Sequence, residues 1–205
     1  MFIIGLTGSI GMGKSTAAEK FRSLGIGVFD ADAQVHALYA GRAVPLIETA
    51  FPGTTAGGVV DRAKLAAALG GRNQAFARVE AIVHPLVRDA ERAFLRAEQK
   101  RGARYAVLEI PLLFETGADK LADAVIVVSA DAATQRARVM ARPGMTAEKF
   151  EAIFKRQTSD AEKRARADFV VDTTGTITDT QAQIEQILQT LAGRTGTAFA
   201  RVWGA

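Results

Sequence analysis

The sequence predicts an α/β fold: a parallel sheet covered by helices. Two observations carry this. Five short apolar runs, at residues 2–6, 26–29, 105–110, 124–128 and 169–171, lack strict alternation, which is how strands buried on both faces read. Segments of helical period separate them, giving the βαβ rhythm of parallel strands joined by crossover helices. A chain of 205 residues that is 48% hydrophobic can bury a substantial core. Its length suits one domain with inserted subdomains. The expected layout is a core at about 1–30, 105–130 and 168–192, a helical insertion at about 31–104 and a helical lid at about 131–167.

The first run leads directly into Gly8-Ser9-Ile10-Gly11-Met12-Gly13-Lys14-Ser15, a complete Gly-x-x-x-x-Gly-Lys-Ser phosphate-binding loop. After it, Ala17, Ala18, Phe21 and Leu24 recur at helical spacing. Strand, loop and helix N-terminus make an anion site, because backbone N–H groups converge and the helix dipole adds partial positive charge. Gly8 and Gly13 allow the tight backbone. Ser9, Ile10, Gly11, Met12 and Thr16 complete the expected nucleotide contacts. Lys14 would reach the β- and γ-phosphates, and Ser15 would hold Mg²⁺.

The second run ends in Asp30-Ala31-Asp32. Ligands in open α/β sheets bind beyond the carboxyl ends of strands, so these carboxylates should face the crevice of Lys14. One could accept the proton of an acceptor hydroxyl. The other could bind Mg²⁺ through water or cap the next helix. The insertion then predicts a short helix opened by Val44-Pro45-Leu46-Ile47, a loop over 52–58 and a helix over 61–69. The apolar stripe Phe76, Val79, Ile82 and Val83 should end or kink at His84-Pro85, with a further helix carrying Leu86, Val87, Ala90 and Phe94. So much helix between two strands suits a substrate subdomain.

The third run is followed by Pro111-Leu112-Leu113-Phe114-Glu115, with Glu109 near the strand's end. Glu109 could contact Mg²⁺ through water or stand as a buried charge satisfied by Lys14 or by backbone groups. Past the fourth run, residues 131–167 are dense in Arg and Lys, and Arg142-Pro143-Gly144-Met145-Thr146 divides them into two arms. Thr146 is a good N-cap, and Glu148 suits a first turn. A charged helical pair between two strands reads as a mobile lid; a solvated hairpin is the alternative. Ile184, Ile187, Leu188 and Leu191 form the stripe of a last helix, and the chain from Gly193 is expected to be irregular.

Composition narrows the function. The absence of cysteine excludes disulfides, thiol catalysis and thiolate metal sites, and fits a cytoplasmic location. No apolar run reaches the ~20 residues of a membrane span. The chain opens on a strand, so no signal peptide is expected before the fold. A net charge of +4 suits phosphorylated ligands, but the arginines are scattered and form no compact basic block, so nucleic acid is not an expected partner. Asn73 is the only asparagine and Gln74 follows it, so the Asn-Lys-x-Asp motif of guanine-specific enzymes is missing. A small phosphate-loop protein with a helical insertion and a basic lid is most simply a phosphotransferase. The insertion would hold the acceptor, and the lid would exclude competing water.

The phosphate loop, Asp30-Ala31-Asp32, His84-Pro85, Pro111-Leu112-Leu113-Phe114-Glu115 and Ala167-Asp168-Phe169-Val170-Val171 occur together in order, and this set resembles the dephospho-CoA kinase family. The resemblance implies ATP-dependent phosphorylation of the 3′-hydroxyl of dephospho-CoA, the last step of coenzyme A synthesis. It implies a phosphate-loop kinase fold with a five-stranded parallel sheet, a CoA-binding helical subdomain and a lid. ATP, Mg²⁺ and dephospho-CoA are the implied ligands, and a monomer or small homo-oligomer the implied state. Asp32 matches the carboxylate taken as the family's catalytic base, and Asp32, His84, Leu112 and Glu115 are the implied substrate contacts. Phosphoryl transfer has a loose transition state, and a carboxylate of pKa ~4 is a weak base, so Asp32 would serve mainly to orient the hydroxyl. Arg138 and Arg142 lie four apart, on one helical face, where they would neutralise charge on the transferring group. Salt bridges to Glu148 or Glu151 are the plainer alternative.

Gln157, in Arg156-Gln157, also matches a recurrent family position. One departure stands out. Many family members read Asp-Asn, a small residue and Gly after the last strand, whereas this chain reads Asp172-Thr173-Thr174-Gly175. Threonine lacks the paired donor and acceptor of an amide, so backbone groups would have to read adenine. A gluconate-type or nucleoside monophosphate kinase would share Lys14, Ser15 and the lid without the later motifs. A nucleotide-binding regulator without catalysis is opposed by intact Lys14, Ser15 and Asp32.

Overall fold

Every apolar run of the sequence is a strand in the computed structural model, which describes residues 1–155 and 157–204. In chain order the elements are β1 (Phe2–Thr7), α1 (Lys14–Ser23), β2 (Gly27–Asp30), α2 (Ala31–Tyr39), α3 (Val44–Ala50), β3 (Thr55–Ala56), β4 (Val59–Val60), α4 (Arg62–Leu69) and α5 (Asn73–Lys100). Then follow β5 (Tyr105–Glu109), β6 (Ala124–Ser129), α6 (Ala132–Met140), α7 (Ala147–Phe154), α8 (Asp160–Arg166), β7 (Phe169–Asp172) and α9 (Ile177–Thr190). The five long strands make one parallel sheet in the order β2-β5-β1-β6-β7. β1 is central, paired in parallel with β5 from Phe2 opposite Tyr105 to Leu6 opposite Glu109, and with β6 on its other side. β6 pairs in parallel with β7. The chain divides into two compact units, one of Met1–Phe29 with Leu95–Ala205, the other of Asp30–Phe94.

The sheet unit is built on β1 and β6, whose residues are all buried. That explains their unbroken apolar character: with both faces covered, no position can be polar without a partner. On one face Ile4, Leu6, Phe21, Ile126, Val128, Val171 and Ile184 form a core with α1 and α9. On the other, Leu113, Phe114, Val125 and Val127 pack together. α9 starts at a reciprocal capping box, in which Thr176 and Asp179 each satisfy the other's backbone N–H.

The second unit has its own core of Leu38, Ile47, Val60, Leu65, Leu69, Val79, Val83 and Leu86. Two expectations fail here. The 52–58 stretch is not all loop: Gly57 and Gly58 both have positive φ, as a two-residue type I′ turn requires, and they join β3 to β4 as a small hairpin. Two-residue strands are too short to show a period. Nor does Pro85 end a helix. α5 runs 28 residues straight through it. An interior proline costs about 3 kcal/mol through one lost hydrogen bond and a ring clash. Val79, Val83 and Leu86, buried on either side, each return roughly 1.5–3 kcal/mol if the helix continues.

The basic segment also departs from its expected two arms, forming three helices, α6 to α8. Thr146 does cap α7, accepting the Lys149 N–H. Arg138 and Arg142 do not share a helical face. α6 stops at Met140, and Arg142 lies on the following turn with its N–H on the Val139 carbonyl at 3.1 Å. Pro143 explains the stop, since it disfavours helical backbone at the residue before it.

The tail is ordered rather than irregular. The Asp123 carboxylate accepts the N–H groups of Ile3 (2.8 Å), Thr197 (2.6 Å) and Ala198 (2.7 Å). Phe199–Trp203 then forms a single wide helical turn that buries Trp203 completely, with its indole N–H donating to the Leu121 carbonyl at 3.0 Å. Among the described residues, no helix is long and apolar enough to cross a membrane. Trp203→Ala should lower stability by about 3–5 kcal/mol in urea unfolding, as for other fully buried aromatic deletions. A loss below about 1 kcal/mol would show that the tail adds little to the fold.

Candidate active site

The phosphate loop spans the gap between β1 and α1, and its glycines are there for contact reasons. A Cβ on Gly8 would lie 2.4 Å from Val128 Cγ2 and 2.7 Å from the Val128 carbonyl oxygen, so no side chain fits. Gly13 has φ +83°, the left-handed region, and a Cβ there would press on Thr173 at 3.0–3.1 Å. Gly13 is also the N-cap of α1, and no side chain caps that helix. Asp30, Asp61, Asp131, Thr146, Ser159 and Thr176 cap α2, α4, α6, α7, α8 and α9, whereas α3, like α1, has no side-chain cap. The first-turn N–H groups of α1 are therefore left for an outside acceptor, and an anion is what the helix dipole favours there.

Side chains from distant elements hold the loop open. Ile10 is gripped on both sides of its backbone: its N–H donates to Gln157 Oε1 at 3.1 Å, and its carbonyl accepts from Gln135 Nε2 at 2.8 Å. Met12 is held similarly. Its carbonyl accepts the Thr173 hydroxyl at 3.0 Å, and its sulfur accepts the Ala130 N–H at 3.0 Å. Arg138 completes this arrangement by donating to Thr173 Oγ1 (3.1 Å) and to the Thr173 carbonyl (2.7 Å). Sequence reasoning missed Gln135, which reads as one more polar residue on a charged helix but is buried. It noticed Thr173 as a departure. The side chain at that position is turned inward onto the phosphate loop and is only 3% exposed.

Lys14 starts α1 with its ammonium 2.6 Å from Glu109 Oε1. Glu109 stands opposite Leu6 in the sheet, and its other oxygen lies 3.5 Å from Arg22 Nη2. A buried carboxylate with two cations around it parks the Lys14 charge beside the loop. Of the two readings left open for Glu109, the structure shows the ion pair. Ser15 is exposed in the first turn of α1, and its hydroxyl has no partner among the described residues. That free oxygen fits Mg²⁺, which takes one or two protein ligands and completes its shell with phosphate and water.

The remaining candidates fall in both units. Asp30 is spent as the α2 cap, accepting the Ala33 N–H at 2.9 Å. Asp32, in the first turn of α2, is exposed, and its carboxylate has no partner among the described residues. His84 is exposed in the middle of α5, not at a helix start. In the sheet unit, Leu112 is 41% exposed on the turn after β5. Arg142 is exposed, with no side-chain partner among the described residues; the proposed salt bridges to Glu148 and Glu151 are not formed. Glu115 accepts the Thr158 N–H at 2.7 Å and lies 3.2 Å from Lys163 Nζ. Burial pushes its carboxyl up, but backbone N–H groups at Glu115 and Thr158 and the Lys163 charge outweigh this and hold it below the ordinary range. Arg156 lies outside the described residues.

This geometry can be set against known proteins. The family model described as dephospho-CoA kinase matches residues 2–179. A dephospho-CoA kinase of Brucella melitensis is 56% identical over 198 residues, covering 97% of this chain and 99% of its own. A solved Thermus thermophilus structure, TT1252, superposes with TM-score 0.81 at 37% identity, covering 94% of this chain and 98% of that one. A dephospho-CoA kinase from Campylobacter jejuni gives TM-score 0.69 at 27% identity, covering 92% and 96%. With the family model matching residues 2–179 and a Brucella relative 56% identical over nearly its whole length, the chain belongs to the dephospho-CoA kinase family, which carries out the final step of coenzyme A biosynthesis.

Proposed function

We infer how this chain's residues divide the work of transferring the γ-phosphoryl group of ATP to the 3′-hydroxyl of dephospho-CoA. The observation that carries the reading is the α1 N-terminus, left without a side-chain cap behind a braced glycine loop, with Lys14 beside it. The loop amides bind the β-phosphate region, and Lys14 exchanges Glu109 for the β/γ-phosphates. Arg22 stays near Glu109 and offsets the charge that Lys14 leaves behind. Ser15 would hold Mg²⁺, which would supply positive charge against the charge that develops on the transferring phosphoryl group.

Asp32 orients the acceptor hydroxyl. The bond from phosphorus to the ADP oxygen breaks as the bond to the 3′-oxygen forms, and the hydroxyl proton passes to Asp32 late. Arg142, exposed and without a side-chain partner among the described residues, is the freer of the two arginines to close over the phosphates. Arg138 would first have to leave Thr173. His84 and Leu112 are proposed contacts for the rest of dephospho-CoA. The cysteine-free composition supports a cytoplasmic location.

ADP release measured with dephospho-CoA, gluconate and nucleoside monophosphates should show turnover with dephospho-CoA, and fragmentation of the product should place the new phosphate at the 3′ position. No turnover with dephospho-CoA and Mg-ATP would sink the reading. Asp32→Asn should lower kcat at least ~100-fold with a smaller change in KM, and near-native kcat would remove Asp32 from the role. Arg142→Met should lower kcat about 10-fold or more while thermal stability moves by no more than about 0.5 kcal/mol, as expected for an exposed site. Equal loss of stability with unchanged turnover would make Arg142 a surface residue only.

A further inference from the structure

We propose that Glu115 and Lys163 are positioning residues for ATP: their buried ion pair seats Gln157-Thr158, and Gln157 in turn fixes the phosphate loop at Ile10. The proposal rests on the loop being the ATP site. Lys163 is completely buried on α8. A buried ammonium is tolerated only opposite a charge, and the nearest one is Glu115, at 3.2 Å. Among the described residues Lys163 Nζ makes no directed hydrogen bond, so the pair acts through charge. The same Glu115 oxygen takes the Thr158 N–H at 2.7 Å, which fixes the chain at the residue after Gln157. Gln157 ends the α7 side of this junction, with its own N–H on the Phe154 carbonyl at 3.2 Å, and places its side-chain oxygen on the Ile10 N–H.

The alternative is that the pair merely anchors α8. That helix is already tied at its first residue, where Ser129 Oγ donates to Asp160 Oδ2 at 2.8 Å. For anchoring alone, apolar residues of similar volume generally serve as well as a buried ion pair. What apolar residues cannot supply is an oxygen held in place for the Thr158 N–H. The route from Lys163 to Glu115, Thr158 and Gln157 ends on the loop that holds the phosphates. It gives Glu115 a task on the ATP side of the reaction rather than on the acceptor side.

Calorimetric titration with MgATP needs no acceptor and tests this directly, alongside KM for each substrate. Gln157→Ala and Glu115→Ala should each weaken MgATP binding about 10-fold, the scale of one lost hydrogen bond in a charged setting, with KM for dephospho-CoA within about 2-fold. The double variant should be no more than about 2-fold weaker than either single one, because both act at the same point. Lys163→Met should weaken binding comparably, and adding Glu115→Gln to it should restore most of the affinity. That neutral pair also keeps the test open if Glu115→Ala does not fold. A rise in KM for dephospho-CoA with unchanged MgATP affinity would overturn the proposal, as would fully multiplicative effects in the double variant. Wild-type protein that fails to bind MgATP would instead defeat the ATP assignment beneath it.

Discussion

The phosphate loop cannot hold its own shape. Six residues between a strand and a helix, three of them glycine, have little intrinsic preference for one conformation, and glycine loses the most freedom when fixed. The shape comes from outside, through hydrogen bonds at Ile10 and Met12 supplied by Gln135, Gln157, Thr173 and Ala130. Each of these partners lies more than a hundred residues along the chain. The rest of the sheet unit is arranged so that they arrive together. β6 brings Ala130, α6 brings Gln135, the turn before α8 brings Gln157, and the end of β7 brings Thr173. The order β2-β5-β1-β6-β7 sets β6 directly beside β1, and all four supports come from the stretch that begins just after β6 and ends just after β7.

Charge is handled by the same economy. Lys14, Glu109 and Arg22 form a small group in which neither cation stands alone against buried apolar surface. Pairing Lys14 with Glu109 keeps a cation available without leaving it uncompensated, since breaking one partner out of a buried pair is expensive. Under the proposed function, a polyphosphate entering the loop would supply the replacement partner. Thr173 serves both neighbours: its hydroxyl donates to the Met12 carbonyl and accepts from Arg138.

How much of this was legible depends on the range of the interaction. The five strands could be read because burial on both faces imposes a local pattern, and the boundaries moved by only one or two residues. The loop could be read because phosphate binding demands glycine, lysine and a hydroxyl at fixed spacing. The β3–β4 hairpin could not, being shorter than any period. Pro85 misled because local sterics were weighed without the core that Val79, Val83 and Leu86 enter. Gln135 and the inward turn of Thr173 were invisible because their reasons lie across the fold. The roles of Asp32, His84, Leu112 and Arg142 were read from residue type and chain position, and the side chains of Arg142 and Asp32 have no partner among the described residues.

The ordered tail has a practical consequence. Trp203 is the chain's one tryptophan, and it is sealed against the Leu121 carbonyl beside the Asp123 anchor. Intrinsic fluorescence excited at the indole band therefore comes from a single place, remote in sequence from the phosphate loop. Complete burial of the indole predicts the blue-shifted emission of a group shielded from water. Loss of that blue-shifted signal would mark the release of the tail from β6, so the protein carries its own optical gauge of whether the sheet unit is closed at its C-terminal seam.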